Sequence, residues 1–300
     1  MKITYSAPGR AGIIGNPSDM YGGCVISCST PVRNYCTLEE SDEWSLPEDT
    51  RLWNAATQRL PLDRPYKVTW ETNVPRSSGL SGSTALLSAT VACILTAREE
   101  ELPEDMREFA ELVRDIELRE AGIVCGYQDA YMCVLGGLSY LDFHGKHPID
   151  SGPLGTLLPA ELPGQYLLVT TGVERLSGSV HGPIRERWLN GDEQVKEHIK
   201  ELANLARTAK IGITIDVLAE AMTRNFQIIQ ELGGSGEAID RLVQECLDCG
   251  ARAAKLAGAG MGGTVIALTD DPQELQQRLT KIGYTKFLRP TPTIGLLREA

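Results

Sequence analysis

Between Ala85 and Leu95 almost every position is apolar: Ala85, Leu86, Leu87, Ala89, Val91, Ala92, Ile94 and Leu95 leave no continuous polar face. That pattern predicts a helix buried on all sides. Further on, Met106, Phe109, Ala110, Val113 and Ile116 recur at steps of three and four, predicting an amphipathic helix near Glu104 to Glu120. A shorter helix is expected over Ala130 to Val134. Ala238, Ile239, Leu242, Val243, Cys246 and Leu247 mark another between Glu237 and Arg252. The compact apolar runs at Gln165 to Thr171 and Thr264 to Leu268 read as strands. Thr37 to Arg64 is charged and holds proline, so strands and surface loops are expected there. From His144 to Gly164, Gly and Pro recur at short intervals, the best candidate for a connection between halves. The interleaving predicts a two-lobed α+β molecule, divided into residues 1–155 and 156–300.

Composition narrows the class. The 300 residues allow one large or two modest domains, and 42% hydrophobic content supplies a core. No stretch has the ~18–20 uncharged apolar residues of a membrane span. The first residues lack the charged-then-apolar order of a signal peptide, so a cytoplasmic protein without a membrane partner is expected. A net charge of −11 argues against a nucleic-acid partner. Of the eight cysteines only Cys246 and Cys249 form a C-x-x-C pair. With no second pair to complete a zinc site, and with helical periodicity around them, packing of reduced thiols is the reading. Nothing bears on oligomeric state, and a homodimer stays open.

The chemistry concentrates where small residues meet the buried helix. Pro75, Ser78, Gly79, Leu80, Ser81, Gly82, Ser83 and Thr84 run straight into it. A buried helix start has orphan N–H groups and a dipole that favours an anion. Glycines let backbone close around phosphate oxygens, and hydroxyls add donors and a metal ligand. No Gly-Lys-Ser/Thr follows, so this is not a Walker loop. The plainer alternative is a Ser-rich cap on a core helix. Two more glycine-rich segments favour the phosphate reading: Ala7 to Asp19, and Lys255 to Gly263 with Gly258, Ala259, Gly260 and Gly262. The last also spells G-x-G-x-x-G, but a helix precedes it and a strand follows, the reverse of a dinucleotide fingerprint.

In this order the three segments resemble the signature of the GHMP kinases, which include galactokinase, homoserine kinase and mevalonate kinase. The resemblance implies ATP and Mg²⁺ as cofactors. It also implies an N-terminal lobe like domain 2 of ribosomal protein S5, a ferredoxin-like C-terminal lobe, and an active site between them. Glu117 and Glu120 continue the apolar stripe of the preceding helix, where a carboxylate must reach the rim or meet a cation. The alternative is a solvated helix end. In galactokinase-like members a Glu precedes the catalytic Asp by a comparable Ala-Gly…Cys-Gly…Asp stretch. Glu117 and Asp129, twelve positions apart, fit it. Mg²⁺ would then be held by Ser83 and Glu117, with Glu120 as the other candidate, because this ion takes few protein oxygens and keeps waters. Asp129 would be the acid–base residue, and Arg10 would match the basic residue of the first segment. From the residues alone, Asp129 could equally be a helix cap and Arg10 a structural ion pair.

Several segments are similar to the glucuronokinase branch: Gly15-Asn16-Pro17-Ser18-Asp19, Val74-Pro75-Arg76, Gly126 to Tyr131, and Ser179 to Asp192. The implied substrate is a uronic acid, D-glucuronate, phosphorylated on its anomeric hydroxyl. Asn16 and Asp19 would bind sugar hydroxyls, and Arg185 or Arg187, with Arg76 behind them, the carboxylate. Two residues apart on a helix, Arg185 and Arg187 cannot both face one pocket. Gly82, Thr84 and Met261 depart from residues common in the family, which leaves substrate identity less secured than nucleotide binding. Other readings are a kinase for a neutral sugar or small alcohol, a nucleotide- and sugar-binding homologue without turnover, and a decarboxylase of phosphorylated mevalonate. The Asp19 segment argues against the last.

Overall fold

In the computed structural model the described residues are 1–75, 77–149, 152–173, 178–210, 212–258 and 263–300, without the side chains of 178–180. Two long strands open the chain, β1 (Lys2–Ile14) and β2 (Cys24–Glu40), antiparallel to each other and joined through a 3-10 turn at Ser18–Tyr21. After α1 (Arg51–Arg59) comes β3 (Tyr66–Thr72), paired with β2. Helices α2 (Gly82–Ala97), α3 (Met106–Arg119) and α4 (Gln128–Leu135) follow, then β4 (Leu138–Asp142) and β5 (Thr156–Pro159). The second half runs β6 (Gln165–Thr170), α5 (Gly178–Leu189), α6 (Glu193–Ala209), α7 (Ile215–Glu231) and α8 (Glu237–Asp248). It continues with β7 (Ala253–Leu256), β8 (Thr264–Thr269), α9 (Pro272–Lys281), β9 (Phe287–Leu288) and β10 (Leu297–Arg298).

The strands form two sheets. The first has the order β10-β1-β2-β4-β5 with β3 also on β2, and the second has the order β7-β8-β6-β9. The second sheet, with its β-α-β-β-α-β connectivity, is the ferredoxin-like arrangement expected of the C-terminal lobe. Helix α2 lies across β1 and β2 with Ala85, Leu87, Ala89, Val91, Ala92, Cys93 and Ile94 wholly buried, as its lack of a polar face requires. A further apolar cluster crosses from Ile13, Ile14 and Ile26 to Ala206, Leu218, Met222 and Ile266, so the lobes share a core.

Two expectations change. Thr37 to Arg64 contains the helix α1, not only strands and loops. Trp53, Ala55 and Ala56 supply its buried side, a stripe too short to stand out among charged neighbours. The connecting run holds β5, which pairs with β4, and β10 returns to β1, so the first sheet includes residues beyond the expected 155/156 division. Among the described residues no helix is long and apolar enough to cross a membrane.

Candidate active site

The glycine loops meet as backbone against backbone. A Cβ on Gly258 would lie 2.1 Å from the Gly79 carbonyl oxygen, and one on Gly263 would lie 2.5 Å from that of Ser78. Only glycine lets the segments approach so closely. Asn34 of β2 ties the loop at both ends, accepting from Val74 N–H at 2.9 Å and donating to the Gly82 carbonyl at 2.8 Å. Within it, Ser78 Oγ donates to the Pro75 carbonyl at 2.7 Å. Ser77, Gly79 and Ser81 take left-handed φ values of 51°, 71° and 61°, which coil the backbone ahead of α2. Ser81 sits at the N-cap of α2 without capping it, and its buried Oγ has no partner among the described residues. An orphaned hydroxyl beside uncapped helix N–H groups fits the phosphates of a nucleotide.

Arg10, on β1, binds this junction together. Its Nη1 donates to the carbonyls of Gly79 at 2.6 Å and Ala257 at 3.3 Å, while its Nε donates to Asp129 Oδ1 at 2.7 Å. The guanidinium is 5% exposed and the Asp129 carboxylate 21%, so this ion pair is mostly shielded, yet Asp129 still reaches the cleft. Asp129 stands in the first turn of α4, where the helix dipole favours its charge.

Glu117 lies beneath the start of α2. Its two oxygens accept from Ser83 Oγ at 2.9 Å and Thr84 Oγ1 at 2.8 Å. Burial pushes its carboxyl up to about 7; the Thr84 hydroxyl opposes this and the Asp129 charge adds to it. A cation would reverse that cost, and the hard oxygens of Ser83 and Glu117 suit Mg²⁺. Asp19 is buried too, accepting from Gln128 N–H at 3.0 Å, and burial raises its carboxyl to about 6. A side chain at Gly126 would strike Asp19 Oδ2 at 2.1 Å, so that glycine is what admits the carboxylate. Arg10, Asn16, Asp19, Gly126, Asp129, His181 and Gly258 line a narrow cleft where the lobes meet.

Family models place this arrangement. Residues 50–137 match the GHMP kinases N terminal domain and residues 192–285 match the GHMP kinases C terminal domain. The chain belongs to the GHMP kinases. Two Arabidopsis thaliana proteins are each 32% identical to this GHMP kinase. Glucuronokinase 1 aligns over 73% of the chain and 63% of its own length, and probable glucuronokinase 2 over 92% and 87%. The structure of Lactococcus lactis galactokinase complexed with galactose superposes with a TM-score of 0.78 at 17% identity, covering 99% of this chain and 95% of that one.

Within this kinase the structure separates the paired candidates. Glu120 is ion-paired to Arg59 of α1 at 2.6 Å, whereas Glu117 is the carboxylate that meets Ser83. Glu120 is the C-cap of α3, one residue past its last helical position, whereas Glu117 lies within the helix. Arg187 is paired to Asp192 at 2.8 Å at the start of α6, so its charge is spent outside the cleft. Arg185 instead turns toward Tyr21: burial and Asp19 raise that phenol's pKa, and the Arg185 charge opposes them. Arg185 Nε is buried with no partner among the described residues. Ala259, Gly260, Gly262 and Arg76 lie outside the described residues.

Three residues were not singled out from sequence. His181, from α5, faces Asp129 and Arg10 across the cleft, and burial lowers its imidazole to about 4, so it is neutral there. Lys255 is fully buried beside Asn16. Asn34 carries the loop tether. Only Lys255 had a visible signal, a lysine in an otherwise apolar strand.

Proposed function

We propose that this kinase transfers the γ-phosphoryl group of ATP, with Mg²⁺, to the anomeric hydroxyl of a uronic acid, D-glucuronate first among them. The observation that carries the uronate is Arg185. It is a cation with a buried, unpartnered nitrogen, one turn along α5 from His181, which lines the cleft. A guanidinium with a buried nitrogen and no carboxylate partner among the described residues suits a substrate carboxylate. The 32% identity to two glucuronokinases supports the same reading.

The chain's own groups divide the work. The glycine loops and the start of α2 hold the phosphates. Ser83 and Glu117 would hold Mg²⁺, which when bound neutralises charge on the phosphates. Asp129 accepts the hydrogen bond of the attacking hydroxyl and takes its proton. Arg10 keeps the Asp129 carboxylate in place and ties it to the phosphate loop through Gly79. Positioning and charge neutralisation, rather than covalent chemistry, are what phosphoryl transfer asks of a protein.

A neutral sugar is the second reading, because the residues lining the cleft are hydroxyl-reading groups and Arg185 lies one turn beyond them. A panel of uronic acids and hexoses with ATP and Mg²⁺, read by phosphorus NMR, decides between them. Glucuronate 1-phosphate is the expected product. Turnover of a neutral sugar with no uronate phosphorylated would overturn the first reading.

A further inference from the structure

Lys255, at the end of β7, is a fully buried amine with no carboxylate partner among the described residues. Its partners are three oxygens: Asn16 Oδ1 at 2.7 Å, the Leu256 carbonyl at 2.8 Å and the Gly12 carbonyl at 3.4 Å. Three acceptors match the three N–H donors of a lysine and leave nothing over. This staple joins β1, the loop before the 3-10 turn, and the strand leading into the third glycine loop.

Asn16 is held on its other side as well. Asn225 of α7 donates to the Asn16 carbonyl at 3.2 Å and accepts from Gly15 N–H at 2.7 Å. These bonds fix the Asn16 backbone, and Lys255 orients its side chain. Swapping its amide would set NH₂ against an ammonium, donor against donor. With Oδ1 on Lys255, the Nδ2 group gives one hydrogen to the Gly258 carbonyl at 3.4 Å, and its second has no partner among the described residues where Asn16 lines the cleft. Asp19 and Asp129 on the same cleft are hydrogen-bond acceptors, so donor and acceptor positions are set before any substrate arrives.

We propose that Lys255 is a positioning residue of the acceptor site, fixing Asn16 as a hydrogen-bond donor to an oxygen of the bound sugar. The inference rests on the cleft being where the phosphate acceptor binds. It adds that the substrate presents a lone pair at Asn16 and hydroxyl protons at the two aspartates. Donor and acceptor are not interchangeable here, because a mismatch leaves buried polar groups unpaired.

Asn16→Asp tests this with almost no change of shape. The variant replaces the free donor by an acceptor and gives Lys255 a counter-ion. Lys255→Met should lower the thermal midpoint by about 2 °C or more beyond its effect in wild type when made in the Asn16→Asp background, while in Asn16→Asp KM for the phosphorylated sugar rises at least about tenfold and KM for ATP stays within about twofold. Lys255→Met frees the amide and should raise the sugar KM with a smaller change in kcat; Lys255→Arg should restore part of it. If Lys255→Met costs no more in the Asn16→Asp background than in wild type, the Lys255–Asn16 contact is refuted, and this measurement needs no substrate. An unchanged sugar KM in Asn16→Asp refutes the donor role. If no sugar is turned over by the wild type, the proposed function fails, while the midpoint still judges the contact.

Discussion

Gly258→Ala probes the contact on which the site depends. The added methyl lands 2.1 Å from the Gly79 carbonyl oxygen, where ordinary contact begins at 3.4 Å, so the loops must part by about 1.3 Å. The obstacle is backbone and cannot rotate away. Gly79 is also the 2.6 Å acceptor of Arg10, whose Nε holds Asp129, so displacement carries through to the proposed acid–base residue. A misplacement of about 1 Å costs on the order of 10²-fold in rate, and that is the expected fall in kcat/KM for ATP. Forcing bulk into a packed contact should cost about 1–3 kcal/mol of stability, read from a urea melt. Gly182→Ala is the control, because nothing among the described residues lies within 4 Å of its added methyl and it sits in α5. There alanine should leave activity unchanged and add up to about 1 kcal/mol. If Gly258→Ala keeps kcat/KM for ATP within about threefold of wild type, against the ~10² expected, the loops do not touch as described.

Asp129→Asn keeps the shape but removes the proton acceptor, so kcat should fall by about 10²–10⁴ with KM for ATP little changed, measured by a coupled ADP assay. The Glu117 carboxyl sits at about 7 when folded, above its unfolded value, so the folded state holds a proton that the unfolded chain releases. The stability this contributes is complete below the unfolded pKa and is lost as pH rises through about 7. Thermal melts from pH 5 to pH 8 should therefore fall less steeply for Glu117→Gln than for wild type, and equal slopes would remove burial as the cause. Arg185→Ala should raise KM for a uronate at least about tenfold with KM for ATP unchanged. Arg187→Ala, which loses only its 2.8 Å pair with Asp192, should leave both alone.

Much of the site was legible because its chemistry is local. The run from Ser78 to Thr84 shows its loop-to-buried-helix character in sequence, since a helix with no polar face has to lie inside and its start has to meet something polar. Asp129 at the head of a short helix and Glu117 on an apolar stripe were visible for the same reason: local spacing sets the face on which a residue falls. The α+β class followed from the alternation of periods. Helix α1 was hidden because three buried residues among charges make too short a stripe, and β5 because a strand of four residues with little burial has almost no pattern.

What the sequence by itself determined is the set of local instructions: which segments are helix or strand, where glycine permits tight backbone, and which carboxylates lie on buried faces. Tertiary structure alone decided the partners. It gave Glu120 to Arg59 and Glu117 to Ser83, sent Arg187 to Asp192 while leaving Arg185 Nε without a partner among the described residues, and brought His181 and Lys255 from the second half onto residues of the first. The physical reason is distance along the chain. Arg10 meets Asp129 across 119 residues and Lys255 meets Asn16 across 239, and no periodicity of a helix or strand reaches that far.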